Sequence, residues 1–207
     1  MYVFNIEYAG DFTKARKDIR DTKFLRCICV LCYQNFYFRI QMQNNIEVHD
    51  NFLPETEFKE LQKIMLTNEF PWFYDDYVVD TDDSDNSVSQ FVHPIFMYGG
   101  WCNMGYKHLI PILDQINPSK LIRIKANLNL MRDNPTPYQF HVDYTTKGFM
   151  TAIFYINTND GATLFRDGTE IKSVANRLII FPGHIEHTGR TCTDKKRRVL
   201  INFCYFT

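Results

Sequence analysis

Short β-type segments separated by turn sequences dominate the second half of the chain. Over residues 121–131 apolar side chains alternate with polar ones, as in a strand with one buried face. Further strands are predicted at residues 140–143, 150–156, 163–165, 177–181 and 198–206, with turns rich in Asn, Asp, Pro and Gly between them. Because no long helix separates these segments, we expect a β-sandwich or barrel.

Two helices, one short strand and, after the first helix, a strand entry at residues 70–74 are predicted before this β-rich part. Residues 46–49 alternate like a strand, and the first helix, 55–68, follows Pro54. Its apolar face is formed by Phe58, Leu61, Ile64 and Met65. The second helix, 104–116, contains Pro111, so we expect it to be kinked or short.

The first 41 residues differ from the rest and show no clear period. A basic stretch is followed by an apolar, Cys-rich run at residues 24–38. Cys27, Cys29 and Cys32 lack a fourth metal ligand nearby, so small apolar residues are the favoured interpretation over a metal cluster. We predict an appendage of uncertain structure at residues 1–41 and a compact domain at residues 42–207.

Charge and cysteine content limit the partners and the cellular compartment that the sequence predicts. The formal net charge of −1 gives no general attraction to nucleic acid or to an anionic membrane. The run at residues 24–38 is interrupted by polar residues, is too short to span a bilayer and has no cleavage site after it. The six cysteines suggest no disulfide framework. These features predict a cytoplasmic protein without a membrane partner.

Two histidines and one aspartate are placed to bind a metal ion. Residues two apart in a strand point to the same side, so His141 and Asp143 would face one point. His187 arrives on a later element, after a Pro-Gly turn at residues 182–183. Two imidazoles and one carboxylate leave three coordination positions open, which suits non-haem iron(II) oxygenases. Iron(II) is therefore favoured, and zinc in a hydrolase is the alternative.

Arg198 begins the last predicted strand, which is apolar on both faces and should be buried. A buried guanidinium needs an anion, and its planar fork suits a carboxylate. Lys195, Lys196 and Arg197 fit a solvated hairpin, with Arg197, on the opposite side, as the fallback anion ligand. An anionic cosubstrate beside the metal favours iron over zinc.

The order of these motifs resembles the 2-oxoglutarate- and iron(II)-dependent dioxygenases. The shared order is His-x-Asp at 141–143, a Gly-containing hairpin, Phe-Pro-x-x-x-x-His at 181–187 and Arg-x-x-x-Asn at 198–202. The prolyl 4-hydroxylase-like branch, with its short bacteriophage-type members, is the most similar, over residues 120–207 well and 46–207 loosely. A viral member would act in the host cytoplasm. The resemblance implies a mainly β domain: a double-stranded β-helix (jelly roll, cupin-like) core with helices packed on one side.

The resemblance also implies roles for individual residues. His141, Asp143 and His187 would hold Fe(II), and Arg198 would pair with the distal carboxylate of 2-oxoglutarate. Tyr155 matches a strand position from which this branch directs a hydroxyl to the same carboxylate; a buried aromatic is the equal alternative. O₂ would be the second cosubstrate, with ascorbate a further candidate cofactor. Halogenating relatives have a small residue in place of the carboxylate, so Asp143 favours hydroxylation.

Four polar residues are further candidates for contact with the ligands or the cosubstrate: Asn127, Asn129, Tyr138 and Asn202. Ordinary core hydrogen bonding is the favoured alternative for each.

Two features depart from the family pattern. Glu186 stands beside His187 where an apolar residue is usual, and the loop at residues 132–138 has no close match.

The substrate is the least determined feature. A peptide or protein side chain is our first expectation, as in prolyl hydroxylases, and a small molecule the second. A nucleobase ranks third because phosphate contacts need a basic face.

Loops at residues 70–89 and 132–138 should shape the entrance to the site. The acidic loop 80–89 is interpreted as a mobile loop, with a lid as the alternative. A zinc-dependent hydrolase and an inactive cupin-like binding module stay open as competing functions, and the oligomeric state is not predicted.

Overall fold

The computed structural model describes residues 46–78, 89–102 and 104–207. The predicted appendage at residues 1–41, with its cysteine cluster, lies outside the described residues. The same holds for the acidic loop at residues 80–89 apart from Ser89.

Eleven strands, two α-helices and one 3₁₀ helix are present in these described parts of the chain. The strands are β1 (Glu47–His49), β2 (Phe73–Asp75), β3 (Gln90–Met97), β4 (Gly100–Trp101), β5 (Lys120–Leu130), β6 (Phe149–Tyr155), β7 (Ala162–Phe165), β8 (Glu170–Lys172), β9 (Arg177–Pro182), β10 (His187–Arg190) and β11 (Arg197–Phe206). The helices are α1 (Glu55–Leu66) and α2 (Ile110–Ile116), and a 3₁₀ helix (Met104–Leu109) leads into α2. Six predicted strands are confirmed to within one residue at each end. The seventh, predicted at residues 140–143, is not a strand.

The strands form two antiparallel sheets. The larger has the order β1-β9-β6-β11-β5-β3-β2, with β4 paired to β3, and the smaller has the order β10-β7-β8. An apolar cluster joins them: Ile153, Ile179 and Leu200 of the larger sheet pack with Phe165 and Ile171 of the smaller. The sheets therefore face each other as the two layers of a sandwich.

The other face of the larger sheet is covered by helices. Phe58, Leu61 and Met65 of α1 are buried in one cluster with Phe154 and Ile201 of the sheet. Burial of about three large apolar side chains contributes roughly 5–9 kcal/mol to holding α1 in place. Ile64, which also follows the helical spacing, lies at the edge of this face and is exposed.

The second predicted helix is divided, as its proline indicated. Residues 104–109 form the 3₁₀ helix and the α-helix begins only at Ile110, so that Pro111 occupies its first turn. Proline is tolerated there because the first backbone N–H groups of a helix have no intrahelical partner. Asn117 ends α2 with φ 43°, a left-handed conformation that Asn adopts readily.

Strand β2 lies at the strand entry predicted at residues 70–74, whereas β3, β4, β8 and β10 were not predicted. β3 contains Pro94, which argues against a strand within a sheet, but the register with β5 shifts between Pro94 and Phe96. This bulge accommodates the proline. The other three strands are only two to four residues long, too short for a recognisable period. In the described part of the chain no helix is both long and apolar enough to cross a membrane.

Candidate active site

His141, Asp143 and His187 meet between the two sheets. Each offers one ligand atom, and the three atoms lie within 4.8 Å of one another. Nε2 of His187 is 3.7 Å from Oδ2 of Asp143, and the two imidazole centroids are 4.5 Å apart. The side chains of Asp143 and His187 are almost completely buried. The structure thus brings the three predicted ligands to one point.

The segment that carries His141 and Asp143 is not the strand predicted at residues 140–143. His141 forms an isolated bridge with His187, with reciprocal backbone hydrogen bonds of 3.0 and 2.9 Å. Beyond it, the backbone N–H groups of Asp143 and Tyr144 both donate to the carbonyl of Gly183, so the ladder does not continue. The bridge alone places the two histidines opposite each other.

Backbone carbonyls orient the two imidazoles. Nδ1 of His187 lies 3.0 Å from the carbonyl oxygen of Ile185, and Nδ1 of His141 lies 3.4 Å from that of Gln139. A carbonyl can only accept, so Nδ1 carries the proton and Nε2 keeps its lone pair for the site. Burial lowers the pKa of His187 more than the Asp143 carboxylate raises it, which favours the neutral, metal-binding form.

Both carboxylate oxygens of Asp143 accept hydrogen bonds. Thr151 Oγ1 donates to Oδ2 at 2.6 Å, and Arg123 Nη2 donates to Oδ1 at 3.0 Å. Burial raises the pKa of Asp143. Three effects outweigh it, so the pKa lies below its ordinary value: the charge that His187 carries when it is protonated in acid, the charge of Arg123 and the Thr151 hydrogen bond. The carboxylate is therefore ionised at neutral pH.

This donor set fits a single divalent transition-metal ion. Two imidazole nitrogens and one ionised carboxylate oxygen converge, and they leave half of an octahedral coordination sphere for other ligands. Thr151 and Arg123, which hold the Asp143 carboxylate, are donors of the kind that orients a metal ligand. Iron(II) matches such a site.

A cavity of about 290 Å³ extends from these ligands to Arg198. The Arg198 side chain is buried: Nε donates to Ser173 Oγ at 2.8 Å and Nη2 donates to Thr163 Oγ1 at 3.2 Å. Burial lowers its pKa, yet a guanidinium stays protonated in proteins. No carboxylate in the described ranges pairs with it, so this buried cation faces the cavity without an anion.

Arg197 points to the opposite side of β11. Its Nη2 donates to the carbonyl oxygen of Leu66, at the C-terminus of α1, at 2.6 Å. A cation at that position also favours the negative end of the helix dipole. The structure therefore assigns Arg197 to the helix, and the fallback role in anion binding does not apply.

Tyr155 lies behind the cavity wall. It is completely buried, and its hydroxyl donates to Thr163 Oγ1 at 2.7 Å. Thr163 lines the cavity itself and already accepts from Arg198, so its own hydroxyl proton is left for an acceptor in the cavity. The Tyr155 hydroxyl thus reaches the cavity through its neighbours Thr163 and Arg198, and Tyr155 does not line the cavity itself. Tyr138 is the tyrosine that lines the cavity near Arg198.

Four inward-facing residues of β5 form one polar wall of the cavity: Arg123, Lys125, Asn127 and Asn129. Nδ2 of Asn127 donates to Gln90 Oε1 at 3.3 Å. Within the described residues, Oδ1 of Asn127 and Nδ2 of Asn129 are buried without a hydrogen-bond partner. Ordinary core hydrogen bonding thus leaves one atom of each amide unpaired, and unpaired buried groups of this kind mark a place for a ligand or water.

Asn202 lines the same cavity on β11. Its Oδ1 accepts from Arg123 Nη2 at 3.4 Å and from Cys204 Sγ at 3.2 Å. Asn202 therefore contacts the arginine that holds Asp143, one step removed from the three predicted ligands.

Several residues of the site were not predicted, among them Arg123, Lys125, Thr151, Thr163 and Ser173. Arg123 and Lys125 stand on the polar side of an alternating strand, a pattern that is typical of a solvated face. The sequence offered one indication of what surrounds Arg198, the Asn-Asp-Gly turn at residues 159–161. A Cβ atom on Gly161 would lie 2.7 Å from Cδ of Arg198, so a glycine is needed for the arginine stem to pass.

Solved structures of 2-oxoglutarate-dependent enzymes share this architecture. The epimerase SnoN from nogalamycin biosynthesis superposes with a TM-score of 0.58 at 10% identity, over 80% of each chain. A prolyl hydroxylase from Trichoplax adhaerens, solved with a hypoxia-inducible factor peptide fragment, superposes with a TM-score of 0.57 at 14% identity, over 90% of this chain and 94% of that one. The chain has the fold of these oxygenases.

A third similar structure is a prolyl-4-hydroxylase from Pseudomonas putida, with a TM-score of 0.50 at 12% identity, over 81% of this chain and 95% of that one. The predicted double-stranded β-helix with helices on one side is thereby confirmed. Neither a scan against protein-family models nor a search of curated proteins finds a match. At these identities the likeness establishes the fold, and function rests on the site.

Proposed function

We propose that this protein is a 2-oxoglutarate- and O₂-dependent hydroxylase with a non-haem Fe(II) site. One observation carries the proposal: a cavity with two imidazoles and a carboxylate at one end and, at the other, a buried arginine that no carboxylate of the described residues pairs with. A metal-chelating 2-oxo acid with a distal carboxylate satisfies both ends at once.

Each group of the site has a role in this reaction. Nε2 of His141, Nε2 of His187 and the carboxylate of Asp143 would hold Fe(II), while Arg123 and Thr151 keep that carboxylate oriented. When bound, Fe(II) would supply the activation of O₂ that converts 2-oxoglutarate to succinate and CO₂ and inserts one oxygen atom into a substrate C–H bond.

The opposite end of the cavity would hold the cosubstrate. Arg198 would bind the distal carboxylate, with its own orientation fixed by Ser173 and Thr163 and with the free Thr163 proton as an additional donor. Ile153 and Leu200 line the cavity as apolar walls and limit water around the cosubstrate. In such surroundings the ion pair is stronger than in bulk water.

We infer that the substrate is a peptide or protein side chain. The cavity volume, about 290 Å³, is at the low end for small-molecule sites, which span roughly 300–1,000 Å³. Because the cosubstrate occupies part of it, a substrate that inserts one side chain fits better than one enclosed completely. The peptide bound in the Trichoplax enzyme supports this choice, whereas nogalamycin RO bound to SnoN keeps a small-molecule substrate as the second candidate.

The direct test is succinate formation by the purified protein. We expect slow conversion of 2-oxoglutarate without any added substrate, dependent on Fe(II) and O₂, and at least a hundredfold less in Asp143→Ala. Glu186→Gln is the matched control, because Glu186 is adjacent in sequence to His187 but is exposed and pairs with Arg166. Full turnover in Asp143→Ala, or a requirement for zinc in place of iron, would refute the proposal.

Anaerobic titration separates this function from a zinc hydrolase and from a metal-free binding module. Chelation of Fe(II) by 2-oxoglutarate gives a weak visible charge-transfer band, which neither of those would produce. We expect the band in the wild type and its loss in His187→Ala.

A further inference from the structure

The cavity carries more positive charge than the proposed chemistry uses. Among the described residues that line it, three cations, Arg123, Lys125 and Arg198, face one carboxylate, Asp143. Under the proposed function, on which this inference rests, the divalent metal and the doubly negative cosubstrate cancel each other. Binding both therefore leaves the excess of positive charge in place.

Two of the three cations have partners in the proposed complex. Arg123 donates to Asp143 and to Asn202, and Arg198 is assigned to the distal carboxylate of the cosubstrate. Lys125 has neither. In the described ranges no carboxylate forms an ion pair with it, although Asp75 and Asp143 are near enough to act on its charge.

The position of Lys125 directs it to the cavity. It lies between Arg123 and Asn127 on the inward face of β5, and its backbone neighbours are Asn202 of β11 and Pro94 of β3. With a strand on each side, its side chain cannot turn to another face without breaking the alternation of β5. It is half-buried, and burial together with the nearby Arg123 charge lowers its pKa. An anion here would offset the hydration that Lys125 loses.

We propose that the hydroxylated substrate carries a carboxylate and that Lys125 binds it. Lys125 follows Arg123 on the same face of β5, and Arg123 touches the proposed metal ligand Asp143, so a bound carboxylate would lie near the reacting C–H bond. The carboxylate belongs to an acidic residue of a peptide or to a small carboxylic acid. In either case Lys125 determines specificity and takes no part in the oxidation.

Two sets of matched probes test the proposal, with succinate formation above the substrate-free rate as the readout. One set consists of capped peptides that contain Asp or Glu, against the same peptides with Asn or Gln. The other consists of N-acetyl amino acids against their carboxamides. We expect stimulation by the acid of at least one set to exceed that by its amide about tenfold, since a hydrogen bond to a charged group contributes on this order. The set that responds identifies the source of the carboxylate.

Variants connect this preference to one side chain. In Lys125→Gln we expect the acid-to-amide ratio to fall to about one, and in Lys125→Glu we expect the preference to shift to peptides that contain Lys or Arg. Lys120→Gln, an exposed lysine on the same strand, should keep the wild-type ratio.

Three results would overturn the inference: no stimulation by any acid, equal stimulation by acids and amides, or a wild-type ratio in Lys125→Gln. If that unchanged ratio comes with a raised KM for 2-oxoglutarate, Lys125 is assigned to the cosubstrate instead. Failure of the proposed function is distinguishable, because it removes wild-type succinate formation in the absence of any probe.

Discussion

Nη2 of Arg123, in β5, lies 3.0 Å from Oδ1 of Asp143, which follows it by twenty residues in the chain. Thr151 donates to the other oxygen of the same carboxylate. Asp143 is thus held from both sides before any ligand binds. A preorganised carboxylate loses little freedom on metal binding, so the pair should govern metal affinity.

The first prediction concerns Arg123→Met. Loss of the donor that orients Asp143 should weaken metal binding roughly 10–100-fold. The dissociation constant for Mn(II), measured by calorimetry in the absence of O₂, checks this. Arg190→Met is the control, because Arg190 pairs with Glu170 outside the cavity and should leave the constant within about twofold. Equal affinity in wild type and Arg123→Met would show that Arg123 has no such role.

The second prediction concerns Arg198→Met. The dissociation constant for 2-oxoglutarate should rise about 10–100-fold, since a charge-assisted contact is lost. Binding of 2-oxopentanoate, which chelates similarly but lacks the distal carboxylate, should change little. Both dissociation constants are measured by anaerobic titration of the charge-transfer band. Arg197→Met is the matched control: the adjacent guanidinium binds the carbonyl of Leu66, so this variant should lose stability while keeping cosubstrate affinity.

The third prediction separates two hydroxyl groups. Thr163 lines the cavity and Tyr155 stands behind it, so Thr163→Val should raise the KM for 2-oxoglutarate about tenfold and Tyr155→Phe at most about threefold. Steady-state succinate formation at varied 2-oxoglutarate measures both values. The opposite order would mean that Tyr155 reaches the cosubstrate directly, as the family resemblance implied.

The fourth prediction concerns stability. Asn176 is buried with φ 62°, and its side chain bonds both the N–H and the carbonyl of Leu53, at 2.9 and 2.8 Å. Asn176→Ala removes both bonds and leaves a left-handed alanine, so the free energy of unfolding should fall by about 2–4 kcal/mol. Urea unfolding measures it.

Asn51→Ala provides the comparison for Asn176→Ala, because Asn51 also has positive φ but is exposed. We expect a loss of only about 1 kcal/mol there. Equal losses in the two variants would show that the buried hydrogen bonds of Asn176 add nothing.

Much of the fold could be predicted from local pattern. The alternation in β5 and the continuous apolar run in β11 identify the two central strands, because a period of two shows which residues face a core. The spacing of His141 and Asp143, with His187 and Arg198 later, was sufficient to expect a metal with an anionic cosubstrate. The prediction of a strand at residues 140–143 was wrong, because a segment with a single bridge to His187 can carry the same residue spacing as a strand.

The sequence by itself determined the residue types of the site, their order and the strands that carry most of them. Tertiary structure decided which polar residues meet. Arg198 contacts Ser173 and Thr163, which lie 25 and 35 residues away, and Arg123 contacts Asp143 across 20. Periodicity reports which face of its own strand a residue occupies. The register between strands and the facing of the two sheets arise from packing of the whole core, so partners such as Lys125 and its cavity become visible only in the folded chain.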